Sequence, residues 1–353
     1  MTVPRFEFRE PDAAAASAAR ARQARLTKPP GSLGLLEETA VRVAAWQASQ
    51  TPSARPAAAV LFAADHPVTA HGVSAYPPAV TAAMLQNFST GGAAASVLAR
   101  NNRLELQVVD VGVNAEPQAY TPAPGTTVVR DPVADDRAGD IRLEDAMSAA
   151  TYERALAAGA AAIARLPADV RVVILGEMGI GNTTVASAVA AALLGGEPGL
   201  YVGAGTGVAG SALENKRRVV TDAVARLNGE RDAHEILRRV GGKDMAALAG
   251  AIAAALERRA LVLVDGFIVS VAALAVVRLC PAARHGLVFG HRSAEHAHGR
   301  VLEALAAEPL LSLGLRLGEA SGALAAYPVL ELACALHNEM ATFESAGVPD
   351  REG

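Results

Sequence analysis

Residues 170–196 read VRVVILGEMGIGNTTVASAVAAALLGG, an aliphatic run followed by a glycine-rich turn and an alanine-rich run. An aliphatic run this short is typical of a strand buried on both faces, and alanine favours helix. Four more short β-branched or aliphatic runs stand at 57–66, 104–113, 200–207 and 261–267. Strands that alternate with helices predict an α/β fold, with a parallel sheet flanked by helices in a Rossmann-like three-layer arrangement. Such a sheet binds its ligands at the carboxyl ends of its strands.

The two ends of the chain have helical patterns instead. Residues 12–26 are rich in Ala and Arg, and the run KPPGS at 28–32 ends that helix before a second one at 33–47. Helical character returns at 323–343, whereas the segment 114–145 is rich in Pro, Asp and Gly and is expected to be a long excursion. We expect the early helices to lie on the surface and to pack against another part of the protein.

The composition excludes several classes of protein. Of the 353 residues, 51% are hydrophobic and 19% are charged, which excludes a disordered chain. A formal net charge of −4 and an aromatic content of only 4% argue against nucleic acid or an anionic membrane as a partner. These values favour a protein that binds small molecules.

Targeting signals point to the cytoplasm. The opening MTVPRFEFREPD lacks the apolar run of a signal peptide. The most apolar stretch, 261–280, is interrupted by Asp265-Gly266, and a charge in mid-span is costly in a bilayer. This pattern predicts a buried strand, a turn and a buried helix rather than a membrane span.

The turn GEMGIGNTT at 176–184 has the features of an anion site. Glycines let the backbone approach an anion closely, and free N–H groups at a helix start would solvate it together with Asn182 and Thr183. The turn is not a Walker A loop, because no Gly-Lys-Ser/Thr follows. It is not a dinucleotide fingerprint either, because Thr184 stands where the third glycine belongs. The alternative is a tight turn with an ordinary N-cap.

Three further motifs carry polar groups. A second turn, GAGTG at 203–207, precedes a helix that contains Lys216. The charge of Lys216 would neutralise a phosphate, or else Lys216 is a solvated surface residue. The loop GHRSAEHAH at 290–298 lacks a recurrent zinc spacing, so we expect a polar ligand or a surface turn rather than a metal. In LRLGEASGA (315–323), Glu319 is either a surface residue or a carboxylate in an apolar pocket, where desolvation would make it a base near neutral pH.

Taken together, these motifs resemble the nicotinate-nucleotide:dimethylbenzimidazole phosphoribosyltransferase family, which makes the lower nucleotide loop of cobalamin. The matching segments follow the family's order almost from end to end. They are KPPGSLGLLE (28–37), HGVSAYPPAVTAAMLQNFSTGGAAASVLAR (71–100), VVDVGV (108–113), GEMGIGNTT (176–184), GAGTG (203–207), VDGFIVSVAALA (264–275), GHRSAE (290–295), LGLRLGEASGA (313–323) and EMATFESAG (339–347).

The resemblance implies an α/β protein with a large and a small domain. Residues 57–323 would form the large catalytic domain, and residues 1–56 together with 324–353 the small helical domain. The family forms homodimers and transfers phosphoribose from nicotinate mononucleotide to dimethylbenzimidazole, giving α-ribazole phosphate and nicotinate. No cofactor and no metal are implied.

The resemblance also assigns site residues, position by position. Glu319 matches the family's catalytic base, and Glu177 lies at a position that contacts the reacting groups. The remaining matches are Gly179, Asn182 and Thr183 in the nucleotide-binding turn, Gly205, Lys216, Asp265 and Ser293 at the ribose and phosphate, and Ser74, Met84 and Leu317 in the pocket of the acceptor base.

Two positions depart from the family's pattern. The family commonly has Gln where this chain has Ala83, and loss of that amide removes a polar contact near the acceptor base. A glycine often follows the family's catalytic Glu, whereas Ala320 follows Glu319 here. The added methyl group is tolerable unless the backbone at Ala320 needs a positive φ.

The predicted mechanism is an inverting displacement at the anomeric carbon of the ribose, with Glu319 accepting a proton from the incoming base. Two other functions fit part of the pattern. Ala83 keeps open a transfer to another benzimidazole or to a purine. A non-catalytic nucleotide-binding protein would share the glycine-rich turns but would not need a carboxylate in an apolar pocket. The broken fingerprint argues against a dinucleotide oxidoreductase.

Overall fold

The computed structural model describes residues 6–115 and 120–349. Within these residues a six-stranded sheet forms the centre, in the order β3-β2-β1-β4-β5-β6. The strands are β1 Ala57–Ala64, β2 Glu105–Gly112, β3 Thr126–Arg130, β4 Val172–Met178, β5 Leu261–Val264 and β6 Leu287–Phe289. Every neighbouring pair is parallel, which confirms the predicted Rossmann-like sheet. The chain reverses its direction of travel across the sheet between β1 and β4, where a doubly wound fold opens its ligand crevice.

Helices flank this sheet. They are α1 Ala13–Gln23, α2 Leu35–Gln47, α3 Ala79–Ser89, α4 Ala94–Asn101, α5 Ala149–Ala164, α6 Asn182–Leu194, α7 Ser211–Ala225, α8 Ala233–Val240, α9 Lys243–Glu257, α10 Phe267–Leu279, α11 His298–Ala304, α12 Ser321–Glu339 and α13 Phe343–Ala346. Strands β4 and β5 are buried at successive positions along almost their whole length. Successive side chains of a strand point to opposite faces, so both faces of the sheet centre are covered.

Four of the five predicted strands are confirmed, as β1, β2, β4 and β5. The prediction of a strand at 200–207 is wrong: Pro198–Tyr201 forms a 3-10 helix and GAGTG is a loop. The run there stands between Pro198 and Gly203, and proline and glycine both disfavour a strand. The edge strands β3 and β6 were not predicted, because β3 is only partly buried and β6 has three residues.

The helices at the two ends of the chain pack together, as the fold prediction required. Helix α2 packs against both α1 and α12. The Arg22 guanidinium donates hydrogen bonds to the carbonyl oxygens of His337 (2.5 Å) and Asn338 (2.8 Å). The domain boundaries at 56/57 and 323/324 stay a prediction, and residues 1–5 and 350–353 of the small domain lie outside the described residues.

The apolar stretch 261–280 forms β5, the turn Asp265-Gly266 and α10, as predicted. Over the ranges 6–115 and 120–349, no helix is both long enough and apolar enough to cross a bilayer.

Candidate active site

A cleft of about 400 Å³ opens beyond the carboxyl ends of β4, β5 and β6, next to the point where the strand order reverses. All the site residues predicted from the sequence line it, except Lys216 and Ser74. The lining residues are Tyr76, Val80, Met84, Glu177, Met178, Gly179, Ile180, Asn182, Thr183, Gly205, Thr206, Asp265, Gly266, Phe267, Ile268, His291, Ser293, Glu295, Arg316, Leu317, Gly318 and Glu319. This volume suits a small organic ligand.

Glu177 ends β4 inside the cleft with its side chain almost wholly buried. The Asn182 amide donates a hydrogen bond to Glu177 Oε2. Burial raises the pKa of Glu177 well above its ordinary value of 4.5, and the nearby carboxylates of Asp244, Asp265 and Glu319 raise it further. This setting favours the protonated carboxyl group, which can donate its proton in a hydrogen bond.

Glu319 stands on a left-handed turn that leads into α12. Gly318, Glu319 and Ala320 all have a positive φ, of 88°, 61° and 59°. The turn is tied to β4, because the Glu319 N–H donates to the Glu177 carbonyl oxygen at 3.2 Å. Gly318 lies so close to Glu177 that an added Cβ would stand 2.6 Å from Oε1. The turn therefore fixes both glutamates side by side.

The Glu319 carboxylate is 6% exposed, and its Oε2 atom has no hydrogen-bond partner. Burial raises the pKa of Glu319 above its ordinary value; the N–H of Ala95 acts against this and the charge of Asp265 adds to it. Of the two interpretations that the sequence left open, the structure supports the pocket carboxylate and not the surface residue. The group can accept a proton near neutral pH.

From the sequence, the methyl group of Ala320 is expected to be tolerable unless the backbone there needs a positive φ. The structure shows that the φ of Ala320 is positive. An L-residue in the left-handed region costs about 1–2 kcal/mol relative to the right-handed one. Ala320 is fully buried and serves as the N-cap position of α12. The substitution of Ala for Gly therefore places strain directly beside Glu319.

Asp265 follows β5 and its carboxylate turns towards the start of α12. Its Oδ1 accepts a hydrogen bond from the Ala323 N–H at 2.8 Å. Burial raises the pKa of Asp265 to about 6, against the effect of several backbone N–H groups. The His291 imidazole lies 3.7 Å from the same oxygen, and burial lowers the pKa of His291, so the ring is neutral at pH 7.

The turn before α6 forms the polar end of the cleft. Asn182 and Thr183 are the first residues of α6, whose N-cap, Gly181, has no side chain to cap the helix. The Asn182 N–H donates to the Gly179 carbonyl oxygen at 3.1 Å. A helix start of this kind attracts an anion. Lys216, on α7, does not line the cleft; its Nζ donates to Thr183 Oγ1 at 2.9 Å and to the Gly203 carbonyl oxygen at 3.1 Å.

Lys216 therefore acts on the cleft through Thr183. A hydroxyl oxygen that accepts from an ammonium group leaves its own O–H free to donate to a ligand. Burial lowers the pKa of Lys216 to about 8, while the charge of Glu295 acts against the burial. Gly205 permits this arrangement: its φ is +53°, and a Cβ there would stand 2.6 Å from Thr183 Oγ1 and 2.8 Å from Lys216 Nζ.

The 290–298 loop is fixed from behind by neutral groups. The Ser293 N–H donates to His298 Nδ1 at 2.8 Å, and His298 Nε2 lies 3.0 Å from Ser270 Oγ. Because Nδ1 accepts, Nε2 carries the proton and donates to the serine. Burial lowers the pKa of His298 to about 3, so this contact does not change in the neutral range. The loop thereby presents Ser293 and Glu295 to the cleft.

The apolar end of the cleft is lined by Tyr76, Val80, Met84 and Leu317. Ser74, predicted for this pocket, lies outside the lining; its Oγ stands 3.1 Å from Thr206 Oγ1, a cleft residue. Ala83 is exposed on α3 and also lies outside the lining.

Several lining residues were missed by the sequence analysis. Tyr76, Val80, Thr206, His291 and Arg316 fall inside the quoted motifs but had no role assigned. Helical spacing relates Val80 to Met84, and this spacing was an available signal. In the part of the chain that the structure describes, no group of three or more His, Cys, Asp or Glu side chains could hold a metal ion.

Comparison with known proteins gives consistent results along the whole chain. A family model described as phosphoribosyltransferase matches residues 8–348. A nicotinate-nucleotide–dimethylbenzimidazole phosphoribosyltransferase of Bradyrhizobium sp. (strain ORS 278) is 51% identical over 345 residues, which cover 97% of this chain and 96% of that protein. The enzyme of the same name from Xanthomonas oryzae is 50% identical, with 96% of each chain covered.

A solved structure agrees with these relatives. The crystal structure of the Thermus thermophilus enzyme of that name superposes with a TM-score of 0.88 at 40% sequence identity. The match covers 96% of this chain and 100% of the other.

Proposed function

The chain belongs to the nicotinate-nucleotide–dimethylbenzimidazole phosphoribosyltransferase family, and we propose that Glu319 is the general base of its reaction. The enzyme transfers phosphoribose from nicotinate mononucleotide to dimethylbenzimidazole. The observation that carries the proposal is the Oε2 atom of Glu319, which is buried at the cleft without a hydrogen-bond partner.

The chemistry needs a base but no acid at the leaving group. The bond between the ribose anomeric carbon and the pyridinium nitrogen breaks, and its electron pair neutralises the nicotinate ring. A nitrogen of dimethylbenzimidazole forms the new bond to the same carbon, and positive charge builds on the entering ring. The N–H of its second nitrogen becomes acidic, and Glu319 takes that proton and later releases it to solvent. A positioned general base contributes roughly 10²–10⁴ in rate.

The two ends of the cleft suit the two substrates. The start of α6 with the Thr183 hydroxyl would hold the phosphate, and the apolar side around Met84 and Leu317 would hold the benzimidazole. Glu177 and Glu319 line the same cleft. The acceptor would then approach the anomeric carbon opposite to the departing nicotinate and invert it, which converts a β-nucleotide to an α-nucleotide.

Glu177 would assist as a neutral hydrogen-bond donor. Its pKa is raised more strongly than that of Glu319, by deeper burial and by the charges of Asp244, Asp265 and Glu319. With Oε2 held by Asn182, Oε1 is the atom free to present a proton to the reacting groups. Glu177 would thus donate a hydrogen bond as a neutral acid, and Glu319 would accept a proton as a carboxylate.

The test is the Glu319→Gln variant, with Glu339→Gln as the matched control at the exposed far end of α12, the helix that follows the Glu319 turn. The amide keeps the size of the side chain and removes its basicity. We expect kcat to fall at least about 100-fold, with native binding of nicotinate mononucleotide, while the control keeps native turnover. Release of free nicotinate from the mixed substrates measures the rate.

Near-native turnover of Glu319→Gln in a folded protein would exclude Glu319 as the main base. The homodimer and the preference for dimethylbenzimidazole over other acceptor bases stay predictions. Sedimentation of the purified protein tests the first, and competition among bases in the same assay tests the second.

A further inference from the structure

Asp265 lies at the bottom of the cleft, almost completely buried, where β5 ends. Its Oδ1 atom accepts from the Ala323 N–H in the first turn of α12 at 2.8 Å. The backbone N–H groups of Ala320, Gly322 and Gly266 lie close enough to lower its pKa. The carboxylate therefore faces the N-terminus of a helix more than it faces the cleft.

Helix α12 has no side-chain acceptor of its own at this end. Its N-cap position is occupied by Ala320, which has no polar side chain, and no side-chain cap is formed there. The first N–H groups of a helix need partners from outside the helix, and a carboxylate is the most favourable one because it also interacts with the helix dipole. Asp265 supplies this acceptor from a strand 58 residues away in sequence.

We propose that Asp265 is a positioning residue, which holds the 318–323 turn and thereby places the Glu319 carboxylate over the cleft. This inference rests on the proposed role of Glu319. The resemblance to the family assigned Asp265 to ribose and phosphate. A ribose hydroxyl at this carboxylate would have to compete with the backbone N–H groups that already face it.

Strain in the same turn explains why an anchor is needed. Glu319 and Ala320 are both held at positive φ, which L-residues persist in only when their surroundings determine the backbone. The Glu319 N–H bond to the Glu177 carbonyl fixes one side of the turn. Asp265 fixes the other side, through Ala323.

The charge of Asp265 also acts directly on the base. The titratable groups near Glu319 are Asp265 beyond β5 and Glu177 at the end of β4. His291 beyond β6 lies next to Asp265 and is neutral, and Asp244 on α9 adds its charge at Glu177. The charge of Asp265 raises the pKa of Glu319. Neutralising Asp265 should therefore lower the pKa of Glu319, and the acid limb of the kcat–pH profile should move to lower pH.

The experiment uses the full-length Asp265→Ala variant, because an Asn at this position would keep an acceptor oxygen for the Ala323 N–H. Asp232→Ala is the matched control, because Asp232 caps α8 by accepting from the Glu235 N–H at 2.9 Å. Hydrogen exchange of the 318–324 amides, kcat, the Kd for nicotinate mononucleotide and the kcat–pH profile are measured. Asp265→Ala and Glu319→Gln are also combined in one protein.

We expect faster exchange in the 318–324 segment of Asp265→Ala, a kcat reduced about tenfold or more, and a nucleotide Kd within about twofold of native. The acid limb of the profile moves to lower pH, and the combined variant is no slower than Glu319→Gln alone, because the effect of Asp265 passes through Glu319. The Asp232→Ala control leaves the segment and the rate unchanged.

Native exchange in 318–324 together with a weakened nucleotide Kd would overturn the proposal and return Asp265 to the ribose. A combined variant slowed by the product of the two single effects would overturn it too, since the residues would then act independently. If Glu319→Gln alone has near-native turnover, the proposed base is wrong, and the exchange measurement still decides whether Asp265 holds the turn.

Discussion

The affinity for the nucleotide should depend on the protonation state of Lys216. Its ammonium group is 1% exposed and donates to Thr183 Oγ1, at the start of α6 where we place the phosphate. Burial lowers the pKa of Lys216 from 10.5 to about 8. A phosphate dianion nearby favours the charged lysine, so binding should raise this pKa again and take up a proton.

The size of the effect follows from the pKa of about 8. At pH 7 roughly nine-tenths of the free protein carries a charged Lys216, and at pH 9 only about one-tenth does. If the charged form alone binds the phosphate tightly, the Kd for nicotinate mononucleotide rises about tenfold between these pH values, or ~1.4 kcal/mol. The phosphate stays dianionic throughout, because its second pKa is about 6. Affinity is therefore lost as the pH rises.

Calorimetric titration at pH 7 and pH 9, in buffers of different ionisation enthalpy, measures both the Kd and the proton uptake. We expect uptake of nearly one proton per nucleotide at about pH 9 and little at about pH 7. The Lys216→Met variant keeps the side-chain stem and removes the titrating group, so it should bind weakly at both pH values.

A Kd that is constant over this range in the native protein would refute the coupling. A tenfold loss that persists in Lys216→Met would assign the titration to another group.

Three further predictions concern the turns around the cleft. Glu177→Gln is isosteric with the neutral acid and still accepts from Asn182, so kcat should fall less than about tenfold; a loss as large as that of Glu319→Gln would make Glu177 the base. Gly205→Ala should weaken nucleotide binding about tenfold or more, because its Cβ would stand 2.8 Å from Lys216 Nζ. Gly229→Ala is the control, since Gly229 also has a positive φ but has open space around it. This control should change only the free energy of unfolding, by about 1–2 kcal/mol in thermal unfolding. Ala320→Gly removes backbone strain, which stabilises the fold by about 1–2 kcal/mol. Loss of a buried methyl group destabilises it by about 0.8 kcal/mol, and the greater freedom of glycine in the unfolded chain by about 0.5–1 kcal/mol. The free energy of unfolding should therefore stay within ~1 kcal/mol of native in denaturant melts.

The central strands were predictable because burial on both faces leaves a continuous aliphatic run. Strands β1, β2, β4 and β5 all carry that run, and each was placed to within two or three residues. The edge strand β3 is half-buried, so its residues 126–129, although β-branched, do not form a continuous aliphatic run. The run at 200–207 is bounded by Pro198 and by glycines from Gly203 onward, and a 3-10 helix that begins at Pro198 forms in place of a strand.

The candidate site was predictable as a set of motifs and less so as a set of contacts. Glu177, Asn182 and Thr183 lie at the carboxyl end of a central strand, where the fold class already places ligands. Lys216 was assigned to the phosphate itself, but it lies behind Thr183 and reaches the cleft through that hydroxyl. Spacing along a chain does not distinguish a direct contact from an indirect one.

The order of residues alone determined the alternation of strands and helices, the glycine-rich turns and the family, because each leaves a local pattern in composition or spacing. Only the tertiary structure decided the state of each buried carboxyl group. Glu319 is buried with a raised pKa because a left-handed turn, the end of strand β4 and the Asp265 carboxylate all meet around it. Desolvation and the distances between charges arise from residues far apart in the chain, so no local pattern encodes them.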